Sequence, residues 1–181
     1  MNRNRTSIDS IQLFIPIKRT TMIKSIKHIS RKQFNTINFY PVSNPPDPNS
    51  FSYISIYGNE SYEKVPPRIN HKLWFNGLQL KFDDVDEDSP NEGLFQISNL
   101  QANKIVSFLQ EIHNVENNIN LIVHCFAGIS RSAAVAKFTN DIFDLKFTNY
   151  TSVPLHNRKV YEQLSKSWSR IFDENTKNLK V

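Results

Sequence analysis

The chain has 181 residues, 39% of them hydrophobic and 22% charged, which is enough for one ordinary globular domain with a buried core. No apolar run approaches the roughly 18 residues that a membrane-spanning helix needs. The single cysteine excludes an internal disulfide and zinc sites built on cysteine pairs, and it fits a reducing compartment, so we expect a cytoplasmic protein. We expect no metal or other cofactor, because no ligand spacing relates the five histidines, which are His28, His71, His113, His124 and His156.

The net charge of +5 is unevenly distributed along the chain. Residues 1–32 contain eight lysines and arginines against one aspartate, a charge of +7, which leaves −2 for the remainder. The basic character therefore belongs to the N-terminal segment, and we expect no nucleic-acid-binding face on the main domain. Residues 1–21 show no convincing element, so we interpret them as a basic, poorly ordered extension and residues 22–181 as one folded domain.

The first half of the folded region predicts three strands and one helix. Residues 22–29 carry regularly spaced isoleucines and favour a strand, and Ser30 with Gln33 forms a capping box that opens a short helix. The aromatic and β-branched run 51–57 and the alternating run 78–82 favour two further strands.

The second half predicts one strand and three helices. Ser98 and Gln101 form a second capping box, followed by apolar residues at helical spacing. Residues 121–124 favour a buried strand, a helix should follow to about Leu145, and a last helix should begin near Leu155. Strands that alternate with helices predict an α/β fold with a central, mostly parallel sheet flanked by helices, and such sheets bind ligands at the carboxyl ends of their strands.

The clearest functional pattern is the turn between the strand at 121–124 and the helix after it. Residues 124–132 read His-Cys-Phe-Ala-Gly-Ile-Ser-Arg-Ser, and we call residues 125–131 the cysteine loop. A turn that opens a helix points several backbone N–H groups at one spot, and the helix dipole adds positive potential there. The turn therefore predicts a phosphate-binding site, with a cysteine at its start and an arginine at its end.

The residue types in the cysteine loop fit nucleophilic chemistry on a phosphate. Donated hydrogen bonds and positive potential favour the thiolate form of Cys125, which is the nucleophilic form. Arg131 can bind two phosphate oxygens with its planar guanidinium. Gly128 allows a tight turn of the backbone or a close approach of the backbone to the anion. Ser132 can donate a hydrogen bond to the sulfur when the sulfur leaves in a second step. We therefore expect Cys125 to be the catalytic nucleophile.

The same stretch resembles the His-Cys-x5-Arg-Ser phosphate-binding loop of the cysteine-dependent protein tyrosine phosphatases. It looks most like the small dual-specificity branch, in which Ala-Gly-x-Ser-Arg-Ser is the usual sequence of this loop. The order of the strands and helices also agrees with the fold of that branch. The resemblance implies a phosphatase that forms a cysteinyl-phosphate intermediate on a phosphorylated protein and requires no metal. It implies a phosphate-binding role for the loop residues, which are Phe126, Ala127, Gly128, Ile129, Ser130 and Arg131.

The resemblance also implies a general acid, an aspartate on a separate loop after the strand at 78–82. Cleavage of a phosphate ester by a thiolate needs an acid that protonates the leaving oxygen. An acidic run follows that strand, and we choose Asp84 from it, with Asp83, Asp86 and Asp88 as alternatives. In the implied mechanism Asp84 then acts as a base on the water that hydrolyses the intermediate.

Two further residues are expected to support the loop. We expect the imidazole of His124 to hydrogen-bond backbone near the cysteine and to take no part in proton transfer. Residues 157–164 resemble the Pro-Asn-x-Gly-Phe-x-x-Gln-Leu segment of the dual-specificity branch, with Asn157, Gln163 and Leu164 as the matching positions. The resemblance implies that Asn157 buttresses the cysteine loop.

The substrate class is inferred from the side chains that the cysteine loop carries. The cysteine loop contains Phe126 and Ile129 and no lysine. Loops that bind multiply charged phosphoinositides tend to carry lysines, so we do not expect an inositol-lipid substrate. We expect a shallow pocket for phosphotyrosine, with phosphoserine and phosphothreonine left open. Two alternatives also remain open: an RNA 5′-triphosphatase of the same superfamily, and a phosphate- or phosphopeptide-binding module without turnover.

Overall fold

A computed structural model describes residues 23–39, 47–59, 65–86, 93–145 and 156–178. The predicted extension at residues 1–21 lies outside these described residues, and so do Asp88 and Leu155. Within the described ranges, no helix is both long enough and apolar enough to cross a membrane.

Strands and helices alternate along the described part of the chain. The strands are β1 (Ile23–Ser30), β2 (Phe51–Tyr57), β3 (Asn76–Lys81) and β4 (Ile119–Cys125). The α-helices are α1 (Arg31–Phe39), α2 (Asn99–His113), α3 (Arg131–Ile142) and α4 (Arg158–Asn178), and single 3-10 turns occupy Pro48–Ser50 and His71–Leu73.

The four strands form one parallel sheet in the order β1-β4-β2-β3. β4 is an interior strand, hydrogen-bonded to β1 on one side and to β2 on the other. Ser30 at the end of β1 pairs with Cys125 at the end of β4, so both strands finish at the same edge of the sheet. The predicted α/β class with a mostly parallel sheet flanked by helices is confirmed, and its central strand leads directly into the cysteine loop.

The larger hydrophobic core lies between the sheet and helices α2, α3 and α4. Its fully buried members include Ile54 and Val123 from the sheet and Ile105 and Leu109 from α2. On α3, the alanines at positions 133, 134 and 136 are completely buried, which lets this helix lie close to β4. Tight packing of α3 on β4 fixes both ends of the cysteine loop.

A smaller aromatic core includes residues of α1, β2 and β4. Phe34 of α1 is fully buried against Tyr53 and Trp74, and Ile122 of β4 completes the cluster. Asn38 connects α1 to the segment before β3, since its Oδ1 accepts a hydrogen bond from Trp74 Nε1 at 3.1 Å. This cluster lies beside the strand that carries His124 and Cys125.

Two predicted helix boundaries are wrong by a few residues. α3 ends at Ile142 and not at Leu145, because Phe143 leaves the helical conformation and Asp144 adopts a positive φ of 46°. α4 begins at Arg158 and not near Leu155. Its start is set by Asn157, whose Oδ1 accepts a hydrogen bond from the N–H of Val160 at 2.9 Å.

The capping box of α2, which the sequence predicts, is present in the structure. Ser98 Oγ accepts from the N–H of Gln101 at 3.2 Å, and the Gln101 side chain accepts from the N–H of Ser98 at 2.8 Å. We expect Ser98→Ala to lower the free energy of unfolding by about 1 kcal/mol in urea denaturation. Ser107→Ala is the matched control, because this exposed position lies in the middle of the same helix and alanine is the better helix former there. Equal losses in the two variants would contradict the capping role.

Candidate active site

The sulfur of Cys125 lies at the junction of β4 and the cysteine loop. Cys125 is the last residue of β4, and only 1% of its surface is exposed. Its Sγ accepts a hydrogen bond from the N–H of Gly128 at 3.3 Å and lies 3.2 Å from Ser132 Oγ. Both groups can donate to a sulfur anion, so the predicted pairing of Cys125 with Ser132 is present in the structure.

Gly128 brings the cysteine loop against the junction of β1 and α1. Its φ is 79°, a conformation that residues with a side chain rarely adopt. A Cβ at this position would collide with the backbone of Ile29 and Ser30. The N–H of Arg31 donates to the carbonyl of Phe126 at 3.1 Å, which joins the loop to the same junction. The loop therefore requires glycine at this point for two separate reasons.

A residue that the sequence did not indicate, His28, also holds the cysteine loop. Its Nδ1 lies 2.7 Å from the carbonyl oxygen of Gly128. A carbonyl can only accept, so Nδ1 carries the proton and donates it. His28 is 100 positions away from Gly128 and becomes its neighbour only through the parallel pairing of β1 with β4. No local pattern around His28 could have identified this contact.

Arg131 connects the cysteine loop to the segment after β3. It is the first residue of α3 and is 4% exposed. Its Nη1 donates to the carbonyl of Phe82 at 2.9 Å, and its Nε lies 3.9 Å from Oδ2 of Asp84. The guanidinium is thus fixed close to the carboxylate that the sequence proposes as general acid.

Asp84 directly contacts the cysteine loop. Its Oδ1 accepts a hydrogen bond from Ser130 Oγ at 2.6 Å and another from Asn157 Nδ2 at 2.8 Å. The side chain is 41% exposed, in contrast to the buried Arg131 beside it. A carboxyl group in this position can contact both a bound phosphate ester and solvent.

The alternative carboxylates have other partners. Asp83 is 3% exposed and accepts hydrogen bonds from Asn59 and, at 2.8 Å, from the N–H of Phe95. Burial by itself would raise the pKa of Asp83, but these hydrogen bonds and the charge of Arg131 outweigh it and lower the pKa below its usual value. Asp86 accepts from the N–H of Lys159 at 3.0 Å, in the first turn of α4. Of the candidates within the described residues, Asp84 is therefore the best placed.

Asn157 contacts three parts of the site at once. Besides capping α4, its Nδ2 donates to Asp84 Oδ1 at 2.8 Å and to the carbonyl of Val85 at 3.2 Å. Its backbone N–H donates to the carbonyl of Ser130 at 3.3 Å. Asn157 therefore contacts both the cysteine loop and the proposed acid, and the buttressing role that the resemblance implies stays a prediction.

His124 differs from the expectation for it. The ring is fully buried and stacks on Phe34, with 3.9 Å between ring centroids and 21° between planes. Burial, assisted by the positive charge of Arg31, lowers the pKa of His124 to about 3; the Cys125 backbone opposes this only weakly. Neither ring nitrogen has a partner that meets full hydrogen-bond geometry among the described residues, so only the weak interaction with the Cys125 backbone remains of the predicted hydrogen bond. The side chain lies on the face covered by α1, where Phe34 offers a ring and no acceptor, and it acts as a neutral packing group.

Exposed apolar side chains flank the cysteine loop. Phe126 is 44% exposed and Ile129 is 53% exposed, although both belong to a loop whose backbone is tightly held. Phe95, in the segment bonded to Asp83, is 63% exposed. Exposed apolar area is therefore present both on the cysteine loop and on the segment bonded to Asp83.

Comparison with known proteins gives only remote similarities. No protein-family model and no curated protein matches the chain. The chain is similar to the solved structure of the human tyrosine phosphatase-like serine/threonine/tyrosine-interacting protein, with 17% identity over 68% of this chain and 79% of that chain and a TM-score of 0.41. It is also similar to the structure of PTPMT1 in complex with PI(5)P, with 14% identity over 86% of this chain and 97% of that chain and a TM-score of 0.44.

The buried, neutral His124 should make the fold sensitive to acid. The pKa of His124 is about 3 in the folded chain, against 6.5 for an unperturbed histidine. Between pH 3 and pH 6.5 the side chain is therefore protonated in the unfolded state but neutral in the folded state. Stability should therefore fall as the pH falls below 6.5, by about 2 kcal/mol at pH 5 from this residue alone. Urea denaturation at pH 8 and pH 5 measures the loss.

The contribution of His124 is isolated by comparing two variants. His124→Asn should show a smaller loss between pH 8 and pH 5 than the wild type, by about the same 2 kcal/mol. His71→Gln, at an exposed position, should keep the wild-type pH dependence. An unchanged pH dependence in His124→Asn would show that the ring is accessible to protons in the folded state.

Proposed function

We propose that this chain is a protein phosphatase that hydrolyses phosphotyrosine, with phosphoserine and phosphothreonine as candidate further substrates. The proposal depends chiefly on one observation, the hydrogen bond from Ser130 to Asp84 at 2.6 Å. It joins a carboxyl group from another segment of the chain to the loop that holds both Cys125 and Arg131. Nucleophile, phosphate-binding group and acid are then within one site, as phosphate ester hydrolysis requires.

In the first step, the Cys125 thiolate attacks phosphorus and displaces the phenolic oxygen. The Gly128 N–H and the Ser132 hydroxyl are positioned to stabilise the sulfur anion before attack. Arg131 and the backbone N–H groups of the loop bind the phosphoryl oxygens, on which negative charge is concentrated. The leaving oxygen takes a proton from Asp84, and the product is a cysteinyl phosphate.

The hydrogen bonds of Asp84 indicate which of its oxygens transfers the proton. Oδ1 already accepts from Ser130 and Asn157. Oδ2 is therefore the oxygen that we assign to the catalytic proton, and it lies 3.9 Å from Nε of Arg131. In the second step the Asp84 carboxylate removes a proton from water, the water oxygen attacks phosphorus, and the Cys125 sulfur leaves with a hydrogen bond from Ser132.

The apolar side chains beside the loop support an aromatic substrate. A phosphotyrosine ring must lie above the loop while its phosphate is bound, and Phe126 and Ile129 offer exposed apolar surface there. The loop carries no lysine that would favour a second phosphate on the same ligand. A phosphorylated protein with an extended phosphotyrosine side chain fits these conditions.

Loss of the nucleophile or the acid should have distinct kinetic effects. We expect Cys125→Ser to abolish phosphate release from aryl phosphates in EDTA. We expect Asp84→Asn to lower kcat on phenyl phosphate by about a hundredfold, the usual effect of removing a general acid. The loss should be smaller on nitrophenyl phosphate, because its more acidic phenol leaves without much help from a proton.

Asp86→Asn is the matched control for the acid, because the amide can still accept from the N–H of Lys159. This variant should retain the wild-type rate on both esters. If Asp84→Asn loses no activity, the acid lies elsewhere in the acidic run. If the wild type binds phosphate without any turnover, the phosphopeptide-binding module replaces the phosphatase. Release of the γ-phosphate from RNA 5′-triphosphates without hydrolysis of phosphopeptides would instead favour the RNA 5′-triphosphatase.

Phe126 should contribute to recognition of the aromatic ring. We expect Phe126→Ala to lower kcat/KM for a phosphotyrosyl peptide by about tenfold, corresponding to one lost ring contact. Inhibition by inorganic phosphate should be unchanged, since the loop backbone still binds the anion. Ile37→Ala, another exposed apolar position but on α1, should leave both quantities unchanged. An equal loss of phosphate affinity in Phe126→Ala would indicate damage to the loop and contradict a ring-binding role.

A further inference from the structure

Two carbonyl groups of the cysteine loop are held by the junction of β1 and α1. The N–H of Arg31 donates to the carbonyl of Phe126 at 3.1 Å. The imidazole of His28 donates to the carbonyl of Gly128 at 2.7 Å. Both donors come from a part of the chain that lies outside the His-Cys-x5-Arg-Ser motif, and the first is a backbone group whereas the second is a side chain.

The direction of these carbonyls determines the direction of the neighbouring N–H groups. In a planar trans peptide, the C=O and the following N–H point to opposite sides, and the described residues contain no cis peptide bond. The N–H of Ala127 therefore points away from Arg31, and the N–H of Ile129 points away from His28. Both are directed to the side of the loop that faces away from β1 and α1, where an anion can bind.

The peptide between Gly128 and Ile129 is the one that most needs an anchor. Glycine has the fewest steric restrictions on its backbone dihedral angles, because it has no Cβ. Gly128 has a positive φ of 79°. Rotation of this peptide would exchange the positions of its N–H and its C=O. A carbonyl would then face the bound phosphate in place of a donor, which is repulsive for an anion.

We propose that His28 is a positioning residue of the phosphate site, because its Nδ1–H holds the Gly128 carbonyl and thereby keeps the Ile129 N–H directed at the phosphate. His28 does not touch the phosphate and transfers no proton. This inference rests on the phosphate site of the proposed function, but it concerns binding of the anion and does not depend on turnover.

The test compares three substitutions that differ in where they place a donor. His28→Asn places an amide N–H close to the position of Nδ1, His28→Gln places it about one bond farther out, and His28→Leu provides no donor. The dissociation constant of inorganic phosphate, measured by calorimetric titration, should rise about tenfold in His28→Leu, the effect of one misdirected donor. His28→Asn should stay within about threefold of the wild type, and His28→Gln should resemble the leucine variant.

The free energy of unfolding separates positioning from general stability. A purely structural role would make phosphate affinity follow stability across the three variants, and such a correlation would overturn the proposal. Phosphate affinity in His28→Leu equal to that of the wild type would also overturn it, as would a wild type that binds no phosphate. His71→Leu, at an exposed histidine, is the control for loss of an imidazole and should bind phosphate normally.

Failure of the proposed function is distinguishable from failure of this inference. A wild type that binds phosphate but hydrolyses no ester would refute the phosphatase and leave the role of His28 intact if His28→Leu alone loses affinity. Conversely, an active wild type whose phosphate affinity and KM are unchanged in His28→Leu would refute the role of His28 and leave the phosphatase intact.

Discussion

The carboxamide of Asn157 joins three segments that are far apart in the sequence. Its nitrogen donates to Asp84, 73 positions away, and its oxygen accepts from the first turn of α4. The backbone N–H of Asn157 donates to the carbonyl of Ser130 in the cysteine loop. Asn157 is 2% exposed, so loss of any one of these bonds would leave a buried polar group unsatisfied. The positions of α4, of the cysteine loop and of the segment with Asp84 and Val85 are therefore determined together.

The cysteine loop is fixed from the opposite side by β1 and α1. Gly128 packs so closely on Ile29 and Ser30 that no side chain fits, and the carbonyls of Phe126 and Gly128 are both hydrogen-bonded to this junction. Between these two anchors, the sulfur of Cys125 accepts from within the loop itself. A loop restrained in this way would lose little further entropy on binding the phosphate of the proposed function, which is the physical meaning of preorganisation.

The sequence predicted those parts of the site that depend on local chain geometry. Cys125, Gly128, Arg131 and Ser132 lie within eight consecutive positions, so their spacing and the strand-to-helix turn were sufficient to bring them together. The two capping boxes were predictable for the same reason, because each involves residues three positions apart. The α/β class followed from the alternation of strand and helix patterns.

The contacts that the sequence could not predict are created by the tertiary structure. His28 reaches Gly128 only because β1 pairs with β4, and the sheet order β1-β4-β2-β3 cannot be read from any single segment. His124 was expected to hydrogen-bond the backbone, but the ring stacks on Phe34 because α1 covers that face of β4. Asp84 was chosen over Asp83 by resemblance alone, and the choice stays a prediction. The structure shows how the two carboxylates differ: Asp83 is buried and bonded to Asn59 and Phe95, whereas Asp84 is exposed and bonded to the cysteine loop.

The proposed nucleophile and the proposed acid differ in exposure, and this difference fits their chemistry. Cys125 and Arg131 are 1% and 4% exposed and lie on the ends of a packed strand and a packed helix. The proposed attack on phosphorus requires such constant positions, because it depends on alignment within a fraction of an ångström. The Asp84 side chain is 41% exposed, so the water that it deprotonates in the proposed second step can reach it from solvent. A buried Asp84 would be held as rigidly as Asp83 but would be closed to that water, so an exposed carboxyl tied to the loop by Ser130 satisfies both requirements of the proposed mechanism.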